Sequence, residues 1–228
     1  MLRCVPGRYE DMLSQPIREE LYQRMCPRLF EAFSGCPVEM FIDFVHILDS
    51  SQASQQTPNN SGESYYDSVA TARHRLLQWR REDSRVGSTQ LNSGSLADAF
   101  RYSFLLHSFR MVERSTPAES PHIQDLVDKI LNAVSEVTKG SPWVKKALWP
   151  TFMAGTEAVK PYQHDYILMR INEIKVDKGF RNLASTIILE RVWKERKQAA
   201  LGDSHRLWSW ADLVSTASLS FVIFHDHL

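Results

Sequence analysis

The sequence predicts an all-α protein of about eight or nine helices stacked in antiparallel pairs, and three observations carry that reading. Apolar residues recur at the i, i+3, i+4, i+7 spacing of a single helical face over most of the chain. No strand–helix–strand alternation interrupts them. Most breaks between the periodic stretches are short, which brings sequence neighbours to lie side by side.

Residues 14–33 read as one or two short helices, with Pro16 near a first turn and Pro27 forcing a break or a new start. Residues 38–48 are densely apolar, with Met40, Phe41, Phe44, Val45 and Leu48 at helical spacing. Residues 49–63 then hold no large apolar side chain and read as a flexible linker or a surface insertion. A helix resumes over 64–80, where Ser64 and Asp67 have the spacing of a capping box. Residues 87–94 form another polar break, and 96–112 the next helix, with Ala99, Tyr102, Leu105, Leu106 and Phe109 on one stripe. Pro121 suits a first helical position. Behind it Ile123, Leu126, Val127, Ile130, Leu131, Val134 and Val137 make the cleanest core-facing stripe in the chain, ended by Gly140.

Residues 141–158 read as one helix with Pro150 in its middle, which predicts a kink there. Residues 162–176 and 182–196 are two more amphipathic helices, with Gly179 as a C-terminal cap and Asn182 as an N-cap. A last short helix covers 208–214. The apolar tail SLSFVIFHDHL fits a short strand, a docked segment or a foreign end. The domain reading is therefore 1–48 for N-terminal helices, 49–63 for the linker, 64–214 for the main helical domain and 215–228 for the tail.

Composition narrows the function. Twenty-seven basic residues balance 27 acidic ones, so the chain lacks the basic excess of a protein that grips phosphate backbones. The three cysteines, Cys4, Cys26 and Cys36, form no CxxC pair and no disulfide framework, and read as reduced thiols. No apolar run is long enough to span a bilayer, and residues 1–12 do not read as a signal peptide. No nucleophile elbow, zinc-protease helix or phosphate loop occurs, so no catalytic residue and no cofactor is expected. His225 and His227 offer only two metal ligands on a chain end, which do not close a site. His164 and Asp165, adjacent on a helix, point to different sides and suit a solvated helix start.

Three stretches in fixed order carry a family signal. The first is Leu76-Leu77-Gln78-Trp79 followed by Ala99-Phe100-Arg101-Tyr102 and Leu105-Leu106. The second is Leu148-Trp149-Pro150-Thr151-Phe152-Met153-Ala154-Gly155-Thr156-Glu157-Ala158. The third is Gly179-Phe180-Arg181-Asn182 followed by Leu189-Glu190-Arg191-Val192-Trp193-Lys194. Together they resemble the second half of the fungal-specific transcription factor domain, the regulatory helical domain found C-terminal to Zn2Cys6 DNA-binding clusters. The resemblance implies transcription regulation, a nuclear location, and a partner that is a small apolar effector or a coregulator protein. It carries no zinc site onto this chain, which lacks the six-cysteine cluster, so no direct specific DNA binding is expected.

Within those motifs, Trp79, Arg101, Trp149, Pro150, Glu157, Asn182 and Trp193 are expected to be structural. Arg101, Glu157 and Asn182 are candidates for a buried polar network that fixes helix register. Trp149, Phe152, Met153 and Gly155 are the candidate ligand-binding residues, being large apolar groups beside a small one at a proline. Two other classes remain open: an enzyme evolved on the same scaffold, and an interaction protein that titrates a full-length relative.

Overall fold

A computed structural model describes residues 27–56, 62–79, 88–113, 115–178 and 184–201. Among these residues the fold is all helical. Eight α-helices appear there: α1 Pro27–Ser34, α2 Val38–Gln56, α3 Gly62–Gln78, α4 Ser88–Val112, α5 Pro121–Ser135, α6 Leu148–Glu157, α7 Pro161–Lys178 and α8 Ala184–Leu201. A short 3-10 turn, Val144–Ala147, leads into α6. The chain divides into two compact units, Pro27–Ile167 and the combination of Met1–Cys26 with Leu168–Leu228.

In the unit Pro27–Ile167, sequence neighbours pack on one another: α1 on α2, α2 on α3, α3 on α4, α4 on α5 and α5 on α6. Helix α4 is the hub, because it also meets α2, α6 and the 3-10 turn. Its sequence suits that place. Leu96, Ala99, Phe104, Leu105 and Leu106 are buried, and so are Ser95, Ser103 and Ser108. Each buried serine has its hydroxyl satisfied: Ser103 donates to the Ala99 carbonyl at 2.7 Å, Ser108 to the Leu105 carbonyl at 2.7 Å and Ser95 to Glu136 Oε2 at 2.6 Å. A small polar side chain that bonds the preceding turn can lie inside a packed bundle without an orphaned donor.

Helix α5 realises the stripe read from sequence. Ile123, Leu126, Val127, Ile130, Leu131, Val134 and Val137 are all buried, and Pro121 takes the first helical position after Ser120. Gly140 lies beyond the helix end in the left-handed region, at φ +75°. Gly35, also at φ +75°, closes α1, and its amide bonds the Glu31 carbonyl at 2.8 Å. A Cβ there would come within 2.3 Å of Leu96 Cδ2 on α4, so only glycine allows that approach.

Four expectations need correction. The polar run 49–63 is helical as far as Gln56. Serine, glutamine and alanine tolerate a helix, and the first true breaker is Pro58, which disfavours α geometry at the residue before it. Residues 57–61 lie outside the described residues, and both flanks of the run belong to one compact unit. The break at 87–94 is likewise absent, since α4 starts at Ser88 and carries Gly94 inside it, buried. Helix α3 begins at Gly62, so Ser64 stands inside it rather than at its cap.

The fourth correction concerns Pro150. Residues 141–158 are not one kinked helix. The 3-10 turn precedes α6, and Pro150 is the third residue of α6, in its first turn. Amides of a first turn have no carbonyl partner within the helix, so a proline there removes no hydrogen bond and imposes no kink.

In the other unit, Ile171 and Ile174 of α7 and Ile188, Leu189 and Val192 of α8 are buried. Trp193 is half-buried rather than fully enclosed. Asn182, the 208–214 helix and the 215–228 tail lie outside the described residues.

Replacing Leu131, 7% exposed on the α5 stripe, by Asp places a carboxylate among apolar side chains. We expect Leu131→Asp to cost at least about 3 kcal/mol. Thermal unfolding followed by circular dichroism checks this, and an unchanged midpoint would refute the core assignment.

Candidate functional site around Trp149

The residues read as ligand-binding divide sharply. Phe152, Met153 and Gly155 are buried in α6, as are Thr151, Ala154, Thr156 and Glu157. Trp149 alone keeps part of its ring exposed. It lies against a stripe of α4. Phe100 stacks on it at 5.8 Å between ring centroids and an interplanar angle of 11°, and Phe104 tilts against it at 5.2 Å. From α2, Phe44 meets Trp149 edge-on at 5.6 Å and stacks on Phe104 at 4.3 Å. His107, one turn beyond Phe104, meets Phe44 edge-on at 5.3 Å. Phe100, Phe104 and His107 follow the i, i+4, i+7 spacing of one helix face, so α4 sets the cluster geometry.

Two polar groups belong to this cluster. The Trp149 indole N–H and the His107 ring nitrogens form no hydrogen bond among the described residues. His107 has no charge beside it that would favour an imidazolium. Burial alone pushes its pKa from 6.5 down to about 4, so the ring is neutral at physiological pH, with one donor and one acceptor nitrogen.

The other end of α6 is held by charge. Glu157, 4% exposed, accepts a hydrogen bond from Arg110 Nη2 of α4 at 2.6 Å. The same guanidinium donates through Nη1 to the Thr116 carbonyl in the α4–α5 connection. Gln124 of α5 donates through Nε2 to the Glu157 carbonyl at 2.9 Å and to the Ala118 carbonyl at 2.7 Å. Gln124 Oε1 in turn accepts from Gln163 Nε2 at 3.2 Å, and Gln163 Nε2 also reaches Asp128 Oδ1 at 2.9 Å. Gln163 Oε1 accepts the amides of Val159 and Lys160 at 3.1 and 3.0 Å. That last pair is half of a capping box: Pro161 opens α7, and the glutamine two residues on reaches back to free amides at the helix start. One chain of hydrogen bonds thus joins α4, α5, α6 and the start of α7.

Two of the motif residues, Arg101 and Glu157, tie helices together at separate places. Arg101, 9% exposed, donates through Nη1 to the Trp79 carbonyl at 2.8 Å and so closes the C-terminal end of α3. Its guanidinium lies 4.5 Å from the Tyr102 ring and 5.8 Å from the Trp79 ring. Glu157 pairs with Arg110 instead, and Asn182 lies outside the described residues. Arg101 and Glu157 therefore belong to two separate clamps, one at the end of α3 and one at the end of α6, and the Asn182 part of the expected grouping falls outside the described residues. Phe104, His107, Arg110, Gln124 and Gln163 were not singled out from sequence, and Phe44 and Phe100 were named only as members of an apolar stripe and a family motif. Pro161 followed by Gln163 was a readable signal for the α7 start, whereas the pairing of Arg110 with Glu157 spans 47 positions and leaves no local trace.

Among the described residues no three His, Cys, Asp or Glu side chains gather to hold a metal, and no helix is long and apolar enough to cross a membrane. What the arrangement offers is apolar ring surface with two spare polar ring positions, beside a helix end fixed by a buried ion pair.

The His107 environment makes stability pH-dependent. Between pH 6.5 and about 4 the unfolded chain binds a proton that the folded chain refuses, so stability falls as pH falls through that window, by up to about 3 kcal/mol. His107→Phe should remove that loss. Asp43, whose pKa burial raises, works in the opposite direction but equally in both proteins, so it cancels in the difference. Urea unfolding of the two proteins at pH 7 and pH 4.5 checks this, and equal losses in both would contradict it.

The family model for the fungal specific transcription factor domain matches residues 5–223. No curated protein and no solved structure matches the chain. Helices α1 to α8 all fall within the matched span, and so do the Arg101 clamp and the Arg110–Glu157 pair. With nearly its whole length matched, the chain belongs to the fungal specific transcription factor domain family.

Proposed function

We propose that this chain is the effector-sensing regulatory domain of a fungal transcription regulator, working in the nucleus and leaving DNA contact to other modules. Family membership supports the role in transcription regulation. The zero net charge and the absence of a six-cysteine cluster from the sequence support placing DNA recognition elsewhere.

The observation that carries the sensing role is the cluster around Trp149. Its rings come from α2, α4 and α6, so a molecule seated there touches three helices at once. The effector class follows from the lining: a small, planar, mostly apolar molecule. One of its atoms accepts from the Trp149 indole N–H, and a second polar atom pairs with the neutral His107 ring. Binding energy gained against these rings favours whichever packing of α4 on α6 presents them best, which is how a ligand shifts a conformational equilibrium.

Fluorescence titration with N-phenyl-naphthylamine, a neutral planar probe, tests the site. We expect saturable binding that Trp149→Ala weakens roughly tenfold or more, a loss of about 1.4 kcal/mol. Because Trp149 is only half-buried, the variant should stay folded by circular dichroism. Absence of binding, or affinity unchanged in both Trp149→Ala and His107→Leu, would remove the sensing role from this cluster.

A further inference from the structure

Every helix opens on amides that lack a helical partner, and α8 opens on two hydroxyls that lack one as well. Because α8 starts at Ala184, the amides of Ala184, Ser185, Thr186 and Ile187 have no helical carbonyl four residues behind them. No acidic side chain stands in the first turn to offset the positive end of the helix dipole. Ser185 is 2% exposed, and its Oγ is sealed from solvent with no hydrogen-bond partner among the described residues. Thr186 Oγ1 is in the same state. The buried hydroxyls of other helices differ. Ser103, Thr151 and Thr156 each donate to a carbonyl three or four residues back. For Ser185 and Thr186 those positions precede the helix, so that route is closed.

Each Cα–Cβ bond of a helix tilts toward the N-terminus, so both hydroxyls lean toward the end that carries the free amides. The result is a set of donors at one place, and unpaired buried donors are unfavourable. We propose that the start of α8 is a binding site for an oxyanion of the phosphate class, held by the Ser185 and Thr186 hydroxyls and the first-turn amides. A tetrahedral anion offers several acceptor oxygens and gains from the helix dipole. A water molecule gains nothing from the dipole and brings two more donor protons to a place already rich in donors. The sequence leading into the helix fits an anion: Lys178 and Arg181 occur there, and no acidic residue lies between Lys178 and Ser185. The sealed position of Ser185 favours the free ion over the ester of a large molecule. Ser185 belongs to a different compact unit from Trp149, so this site does not rest on the effector reading.

The test is isothermal titration calorimetry of the full chain with inorganic phosphate, at constant ionic strength in a buffer free of phosphate and sulfate. Ser185→Ala and Thr186→Val are titrated alongside. We expect saturable binding to the wild type, weakened roughly tenfold or more in each variant. Both variants should remain folded by circular dichroism, because each removes an unpaired buried hydroxyl and breaks no bond. Phenyl phosphate should bind more weakly than the free ion. If it binds as tightly and with the same sensitivity to both variants, the same donors serve an esterified phosphate instead. Absence of saturable binding would overturn the proposal, and so would equal affinity in the wild type and both variants.

Discussion

A carboxylate placed in an apolar interior must find a positive partner, and Glu157 sets that requirement at the end of α6. Its side chain is nearly sealed from solvent, and Arg110 of α4 meets it at 2.6 Å. Ionising a group so deep without a counter-charge would cost several kcal/mol, so separating or sliding α4 against α6 is opposed by the loss of this pair. The guanidinium also fixes the Thr116 carbonyl, and Gln124 fixes the carbonyls of Ala118 and Glu157. The α4–α5 connection is thereby tied to the end of α6. Greasy packing alone permits many nearly equal arrangements, whereas a buried pair with directed hydrogen bonds selects one register.

The aromatic cluster inherits its geometry from this arrangement. Phe100, Phe104 and His107 lie on α4, and Trp149 begins the helix that Glu157 ends. Fixing one end of α6 against α4 sets how the Trp149 ring lies on Phe100 and Phe104. The opposite flank has its own constraint at Gly35, where α1 comes so close to Leu96 of α4 that no side chain fits. Arg101 closes α3 on the hub helix in the same way, by giving the Trp79 carbonyl a charged donor. A hub that touches most of its unit is a route by which an event at one contact is felt at another. The device is packing plus a few charge-assisted bonds.

Helix identity was legible because periodicity is local. The α5 stripe from Ile123 to Val137 is buried residue for residue, and Pro121 opens that helix as proline should. Helix extent was less legible. Polar segments such as 49–56 and 88–95 contain no proline, so nothing in them forbids a helix although their local preference for one is weak. The Pro150 expectation failed for a related reason: a proline reports that its amide is unpaired, which is equally true in a helix interior and in a first turn. The α6 motif was visible in the sequence, but its partners are ones that sequence order hides. Trp149 needed Phe44 and Phe100, and Glu157 needed Arg110, all of them far away along the chain.

The most direct test of the account is a double-mutant cycle on the buried pair, with Arg110→Met, Glu157→Gln and the double variant unfolded in urea. Each single change removes one side of the pair, and the double change removes both charges. The account predicts a coupling energy of about 1.5 kcal/mol or more, with the double variant less destabilised than the sum of the single ones. Additive losses, with coupling under about 0.5 kcal/mol, would mean that Arg110 and Glu157 act independently and that α4 and α6 are held in register by something else.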